Sequence, residues 1–299
     1  MRQRILLGAL GLASFVAPPV RGQRPRDVVL EAHRVSPSAP LKIYGVAGSV
    51  RLVGWDHDSV VVTAPTRPPQ FYFHHDSGGI KAGIDQFRFG IEEARTDSTA
   101  KPVSFVVFLP KQSRVWVKTV SAEIDATDVT GFFSTASGAV QLRGAAANLE
   151  VESINGNIDI NASTAWVRAT TGRGRLIVRG TVQDVDASTV DGELDVASST
   201  VMRGRFASVT GDIRYAATPA VGAIFDFSNH SGAVDMAMPR DASASLDLSS
   251  VMGTVENSMS QARPAAAGAH SLRLTLGRGD SQMTVRTFKG TVRLRPSQP

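Results

Sequence analysis

Two short runs hold the densest set of side chains able to grip a metal ion: Trp55-Asp56-His57-Asp58 and His74-His75-Asp76. Imidazole and carboxylate suit zinc and other divalent ions. Their spacing matches no structural metal site, and adjacent residues on a strand point to opposite faces. The first run is expected in a turn between strands, the second in an exposed loop at 74–79. No metal or cofactor is assigned.

Carboxylates offer a second chemistry. Asp159, Asp195, Asp212 and Asp235 recur at similar offsets and could form a row. Two carboxylates about 5–9 Å apart support glycoside hydrolysis. Yet each stands beside an apolar residue in an alternating pattern, as solvated outward strand positions do. Serine is plentiful, but no Gly-x-Ser-x-Gly elbow occurs and no Ser–His–Asp set can be assembled. The calcium-binding phrase Gly-Gly-x-Gly-x-Asp is also absent. No catalytic residue is assigned, and the chain is read as non-enzymatic.

Three further runs carry recognition chemistry. Arg278-Gly279-Asp280 spells a cell-attachment tripeptide, in a turn where Gly and Asp are expected anyway. Asn161-Ala162-Ser163 spells a glycosylation acceptor and is given little weight. Arg168, Arg173, Arg175, Arg179, Arg203 and Arg205 lie close together. They read first as solvated strand positions, and second as a stripe meeting anionic glycan or lipid headgroups.

The elements that position these residues come from a repeat. A small polar residue, Gly, any residue and an aliphatic one recur as Ser137-Gly138-Ala139-Val140, Asn155-Gly156-Asn157-Ile158 and Arg173-Gly174-Arg175-Leu176. The phrase continues at Gly192, Gly211, Gly232, Gly253 and Gly290. Up to Gly253 the glycines step by 18, 18, 18, 19, 21 and 21 residues. A fixed period near twenty marks a stacked repeat.

In the unit Leu149 to Ile160, the residues Leu149, Val151, Ile154, Ile158 and Ile160 are apolar between polar ones. Each unit therefore reads as two short strands flanking a glycine turn, with Gly supplying a left-handed φ. Asn-Gly and Asp-Gly allow an antiparallel meander. The favoured fold is all-β: a β-solenoid of roughly 18–21-residue coils. In it Ile158, Leu176, Leu194 and Ile213 stack as one aliphatic ladder. About seven coils spaced ~4.8 Å apart give a rod roughly 35 Å long, with a thin core.

Residues 23–112 read as a less regular N-terminal β segment or cap, and 113–299 as the solenoid. Strands are expected at Leu41–Gly45, Ser49–Val53, Ser59–Ala64, Phe71–Phe73, Phe87–Ile91 and Ser104–Leu109, then at Leu272–Leu276 and Met283–Thr287. Asn257 to His270 reads as a surface insertion. A specific binding surface is expected on the longer coils and that insertion.

Residues 1–22 read as a signal peptide: Arg2 and Arg4, an apolar run of twelve from Ile5 to Val16, then Pro18 and Pro19. That run falls short of the ~20 residues a spanning helix needs, and no transmembrane segment is expected in the mature chain. The absence of cysteine excludes disulfides, Cys metal sites and a lipid-modified Cys anchor. Removing Arg2, Arg4 and Arg21, with no acid among residues 1–22, takes the net charge from +5 to +2. That balance does not fit a nucleic-acid binder.

Gly45 to Val60, with Gly54-Trp55-Asp56, is similar to the opening of the bacterial putative-adhesin β-strand-repeat family (the DUF4097 type). So are Leu109-Pro110-Lys111 with Thr119 to Ile124, and the closing phrase Val285 to Val292. Ala122 stands where the family usually has Gly. The resemblance covers roughly residues 41–295. It implies an envelope β-solenoid with an adhesin-like role and no catalytic motif. The expected function is therefore adhesion or scaffolding at the cell envelope, in the periplasm or on the cell surface. Expected partners are envelope glycan, anionic lipid headgroups or another envelope protein. The alternatives are an envelope-stress sensing accessory domain and, last, a carbohydrate-active solenoid enzyme. A groove with Asp, Arg or His converging from three neighbouring coils would favour the last.

Overall fold

The structure is a computed structural model that describes residues 27–68, 71–76, 78–84, 102–259 and 269–297. The leader read at 1–22, the strand read at Phe87–Ile91 and residues 260–268 of the insertion lie outside the described residues.

Among the described residues every regular element is a strand. They stack as a parallel β-solenoid with two outer faces. The first face runs through Gly79–Ile84, Leu41–Gly45, Arg114–Thr119, Thr130–Thr135 and Asn148–Ser153. It continues through the second halves of the long strands Ile158–Thr171, Leu176–Thr189 and Leu194–Ser208, then Ile224–Asn229 and Ser281–Thr287. The second face contains Val103–Pro110, Gly48–Trp55, Glu123–Thr127, Val140–Ala145 and the first halves of the same long strands. It ends with Ile213–Ala216, Val234–Met238, Val292–Pro296 and Val255–Asn257. The parallel pairing rules out the antiparallel meander within the repeat.

The aliphatic ladder stands as the repeat predicts. Val140, Ile158, Leu176, Leu194, Ile213, Val234 and Val292 pair in register and are all buried. Identical roles at identical depth let each coil bury what its neighbour exposes. The longer coils have a visible cause. One extra residue enters as a register shift, Val178 opposite Val196 but Gly180 opposite Ser199. Farther on, the run 217–223 separates two strands that are continuous in shorter coils. There the core widens around Phe206, Tyr215, Phe225 and Phe227, with ring centroids 5.1–6.4 Å apart.

Coil order departs from chain order at both ends. The coil containing Gly290 sits between those of Gly232 and Gly253, because Ser281–Thr287 pairs with both Ile224–Asn229 and Ala244–Ser250. At the other end, Leu41–Gly45 lies between Gly79–Ile84 and Arg114–Thr119. Antiparallel strands cover the ends: Ser271–Leu276 against Ala244–Ser250, Phe71–Asp76 against Gly79–Ile84, and Ser59–Ala64 against Val103–Pro110. Covering an end strand removes a template for edge-to-edge pairing.

Two local readings need correction. The repeat glycines do not take left-handed φ. They are glycine because a Cβ would strike the neighbouring coil. At Gly156, Gly192 and Gly211 it would lie 1.9 Å from the carbonyl oxygen of Gly138, Gly174 and Gly192 respectively. In addition, Ile154 is exposed rather than core, because it projects from the corner just before the glycine turn; Val190 and Val251 do the same at the matching corners.

Candidate functional site

The sequence-read candidates are mostly engaged with one another. Asp56 accepts a hydrogen bond from Lys111 Nζ at 2.9 Å, and Trp55 Nε1 donates to Ser59 O at 2.8 Å. His74 pairs with Asp76 at 3.0 Å. His75, on the opposite face of that strand, lies 5.9 Å from His33, which stacks on Phe73 at 4.7 Å. His74 and His75 thus lie on a strand, not in a loop. Among the described residues no three His, Asp or Glu side chains converge as a metal site.

The carboxylate row is interrupted by other residues. On the second face Asp159, Ile177, Asp195, Arg214 and Asp235 follow one another in register, so no two of these acids occupy neighbouring strands. Each is tied to arginine: Asp159 to Arg179 at 3.0 Å, Asp195 to Arg175 at 2.7 Å, and Asp235 to Arg295 at 2.8 Å. Asp212 stands apart in a turn and accepts from Ala233 N. Such cross-strand pairs add register and modest stability, each roughly 0.2–1 kcal/mol. In Arg278-Gly279-Asp280 the two charges close on each other at 3.1 Å. Ser243 and Arg278 together hold the Asp280 carboxyl below the usual range.

The arginine stripe is likewise largely paired within the protein. Arg168 reaches Glu150 at 3.9 Å. Arg203 grips Asp184 through two bonds of 2.6 and 2.8 Å. This fork holds the Asp184 carboxyl below the usual carboxylate range. Arg173 and Arg205 have no carboxylate within salt-bridge reach among the described residues.

One cleft brings several of these side chains together. It lies on the first face, has a volume of about 620 Å³, and is lined by Trp166, Arg168, Asp184, Asp186, Arg205 and Asp226, among others. Two adjacent rows build it. One runs Trp166, Asp184, Arg203, Ile224; the other runs Arg168, Asp186, Arg205, Asp226. Beneath them Val167, Val185 and Gly204 are buried and fix the floor. Gly204 is required there, since a Cβ would lie 2.4 Å from the Phe206 ring.

A half-buried indole beside alternating carboxylates and guanidinium groups offers an apolar platform with hydrogen-bonding groups of both kinds. Sequence reasoning found Arg168, Arg203 and Arg205 but missed Trp166, Asp184, Asp186 and Asp226. The signal was present: charge alternates at one repeat position from Glu150 through Arg168, Asp186 and Arg205 to Asp226. The cleft sits chiefly on the 18- and 19-residue coils, with only its last strand on a longer one.

The fold has solved counterparts. A "putative lipid binding protein" from Parabacteroides distasonis ATCC 8503 shares 10% identity, with 91% of this chain and 98% of that one covered at a TM-score of 0.52. A "putative adhesin" from Parabacteroides merdae ATCC 43184 shares 12% identity, with 90% and 96% covered at a TM-score of 0.51. No curated protein matches the chain. The Toastrack DUF4097 pattern spans residues 45–295, and the chain belongs to that family.

Proposed function

We propose that this protein is an exported, non-enzymatic β-solenoid acting by adhesion or scaffolding at the bacterial cell envelope, and that the cleft over Trp166 takes envelope glycan. The observation that carries this reading is the cleft itself. A sugar ring has an apolar C–H face and a rim of hydroxyls. Trp166 matches the first, while Asp186, Arg205 and Asp226 match the second. Cross-strand pairing of Asp184 with Arg203 holds the wall in place before any ligand arrives. The name of the P. merdae neighbour points the same way.

A second reading has one observation in its favour. Asp186 and Asp226 flank Arg205 two strands apart, roughly 9.6 Å along the ladder, near the upper separation for inverting glycoside hydrolysis. Both carboxyls are exposed on the open sheet face, and Arg205 stands between them where a glycosidic bond would have to lie. Binding is therefore favoured over turnover.

The test is retention of the folded protein on peptidoglycan sacculi and bacterial surface polysaccharides, with reducing ends assayed in the supernatant. Retention that Trp166→Ala abolishes, with no reducing ends released, supports adhesion. Release of reducing ends that Asp186→Asn abolishes would replace it with hydrolysis. No retention on any of these polymers would count against both.

A further inference from the structure

The charge pattern of the first face changes abruptly toward the N-terminal coils. From Glu150 to Asp226 it alternates acid and base. Before Glu150 the same outward row reads Lys81, Lys42, Trp116, Phe132. The next row places Tyr44 beside Lys118, and Arg114 is exposed at the start of the central strand. Residues between these are buried, so all the named side chains project from one side of the sheet.

The patch is organised around one ring. Lys42 Nζ lies 5.3 Å and Lys118 Nζ 4.6 Å from the Trp116 ring centroid. Tyr44 meets that ring edge-on at 6.3 Å, and Phe132 lies 6.2 Å away on the other side. Neither Lys42 nor Lys118 has a carboxylate within salt-bridge reach among the described residues. Most other described cations are paired, among them Arg143, Arg168, Arg179 and Arg203, whereas Arg173 and Arg205 are not.

We propose that this basic-aromatic patch is a docking surface for a lipid bilayer bearing anionic headgroups. Three observations favour a bilayer over a soluble polyanion. The surface is a continuous face of parallel strands, which suits a plane rather than a polymer chain. Its rings are half-exposed beside ammonium groups, the combination that settles where headgroups meet acyl chains. Its cations are mostly lysine, although the sequence has 26 arginines and only six lysines. Arginine forks grip individual phosphates, whereas lysine acts as a point charge on a long apolar stem. Lys42, Lys81 and Lys118 are three of those six.

This inference rests on residues outside the glycan cleft and stands or falls separately from it. The test is co-sedimentation of the protein with vesicles of phosphatidylcholine alone and of phosphatidylcholine mixed equally with phosphatidylglycerol. Binding is expected only to the anionic vesicles, weakening as salt is raised. Each lysine neutralised is expected to weaken it roughly fivefold, so Lys42→Gln with Lys118→Gln loses about 25-fold. Trp116→Ala is expected to weaken binding at every salt concentration. Arg173→Gln, on a turn outside the patch, leaves it unchanged. The salt series on the unaltered protein keeps the test decisive even if a variant folds poorly. Equal binding to neutral vesicles, no binding to either, full binding by the folded double variant, or capture of soluble polyphosphate without vesicles would each overturn the proposal.

Discussion

Thr171 Oγ1 accepts a hydrogen bond from Gly174 N, three residues ahead in its own turn, at 3.2 Å. The same hydroxyl donates to Gly156 O in the preceding coil, also at 3.2 Å. One buried side chain thus closes a turn and bonds it to the next layer. Ser250 does the same with Gly253 N and Gly290 O, and Asn229 with Gly232 N and Gly211 O. Thr135, Ser153, Thr189 and Thr287 each accept from the glycine three residues on. The solenoid contains a polar spine alongside its aliphatic one.

Removing a member of that spine leaves a buried N–H without a partner. Ser153→Ala is expected to cost about 1–3 kcal/mol, the range for orphaning such a group. Ser208 occupies the equivalent place, but its hydroxyl has no partner. Ser208→Ala is expected to cost less than Ser153→Ala, or to stabilise. Urea unfolding of the two variants side by side checks the difference.

Much of this architecture was legible in the sequence. The aliphatic ladder was readable because each rung repeats in kind at one offset, from Ile158 to Ile213. The polar spine was missed because Ser, Thr and Asn three residues before a glycine look like ordinary turn residues. Only the coil behind them makes them buried. The corner residue Ile154 misled because alternation does not tell a bend from a strand. The cleft was half-legible: its arginines stood out, but the acids opposite them come from neighbouring coils, and register alone brings them together.

Glycine in the repeat serves close approach between layers. In Gly192→Ala the new Cβ would sit 1.9 Å from Gly174 O, a backbone atom with little freedom to move. The expected loss is about 3 kcal/mol or more, at the upper end for overpacking. Gly222→Ala meets nothing within 4 Å and carries only the penalty of its φ of +77°. It should be the milder of the two in thermal melts. Equal losses would show that layer contact is not what selects glycine.

The inverted coil order makes a prediction about truncation. Deleting residues 281–297 removes a layer between two others, not a terminal one. Loss of protection at Ala244–Ser250 is expected in hydrogen exchange, together with exposure of the edge at Ile224–Asn229. Were the last segment an outer coil, Ala244–Ser250 would stay protected.

Tyr215 sets an alkaline limit. It is 1% exposed, and burial pushes its phenol well above the usual value. A group whose folded pKa is raised contributes fully below its unfolded pKa, about 10, and its contribution is lost as pH rises beyond that. Stability should therefore fall above about pH 10. Tyr215→Phe should flatten that fall while leaving neutral stability within about 1 kcal/mol. Denaturant midpoints measured across the alkaline range test both statements.

The cleft over Trp166 is expected to bind saccharide without transforming it. Isothermal titration of a soluble oligosaccharide from a retained polymer tests this most directly, with the unaltered protein and Trp166→Ala compared. Saturable heat is expected for the first and at least about tenfold weaker binding for the second, equivalent to ~1.4 kcal/mol, with the sugar recovered intact. Equal affinity for both proteins, or a cleaved sugar, would contradict it.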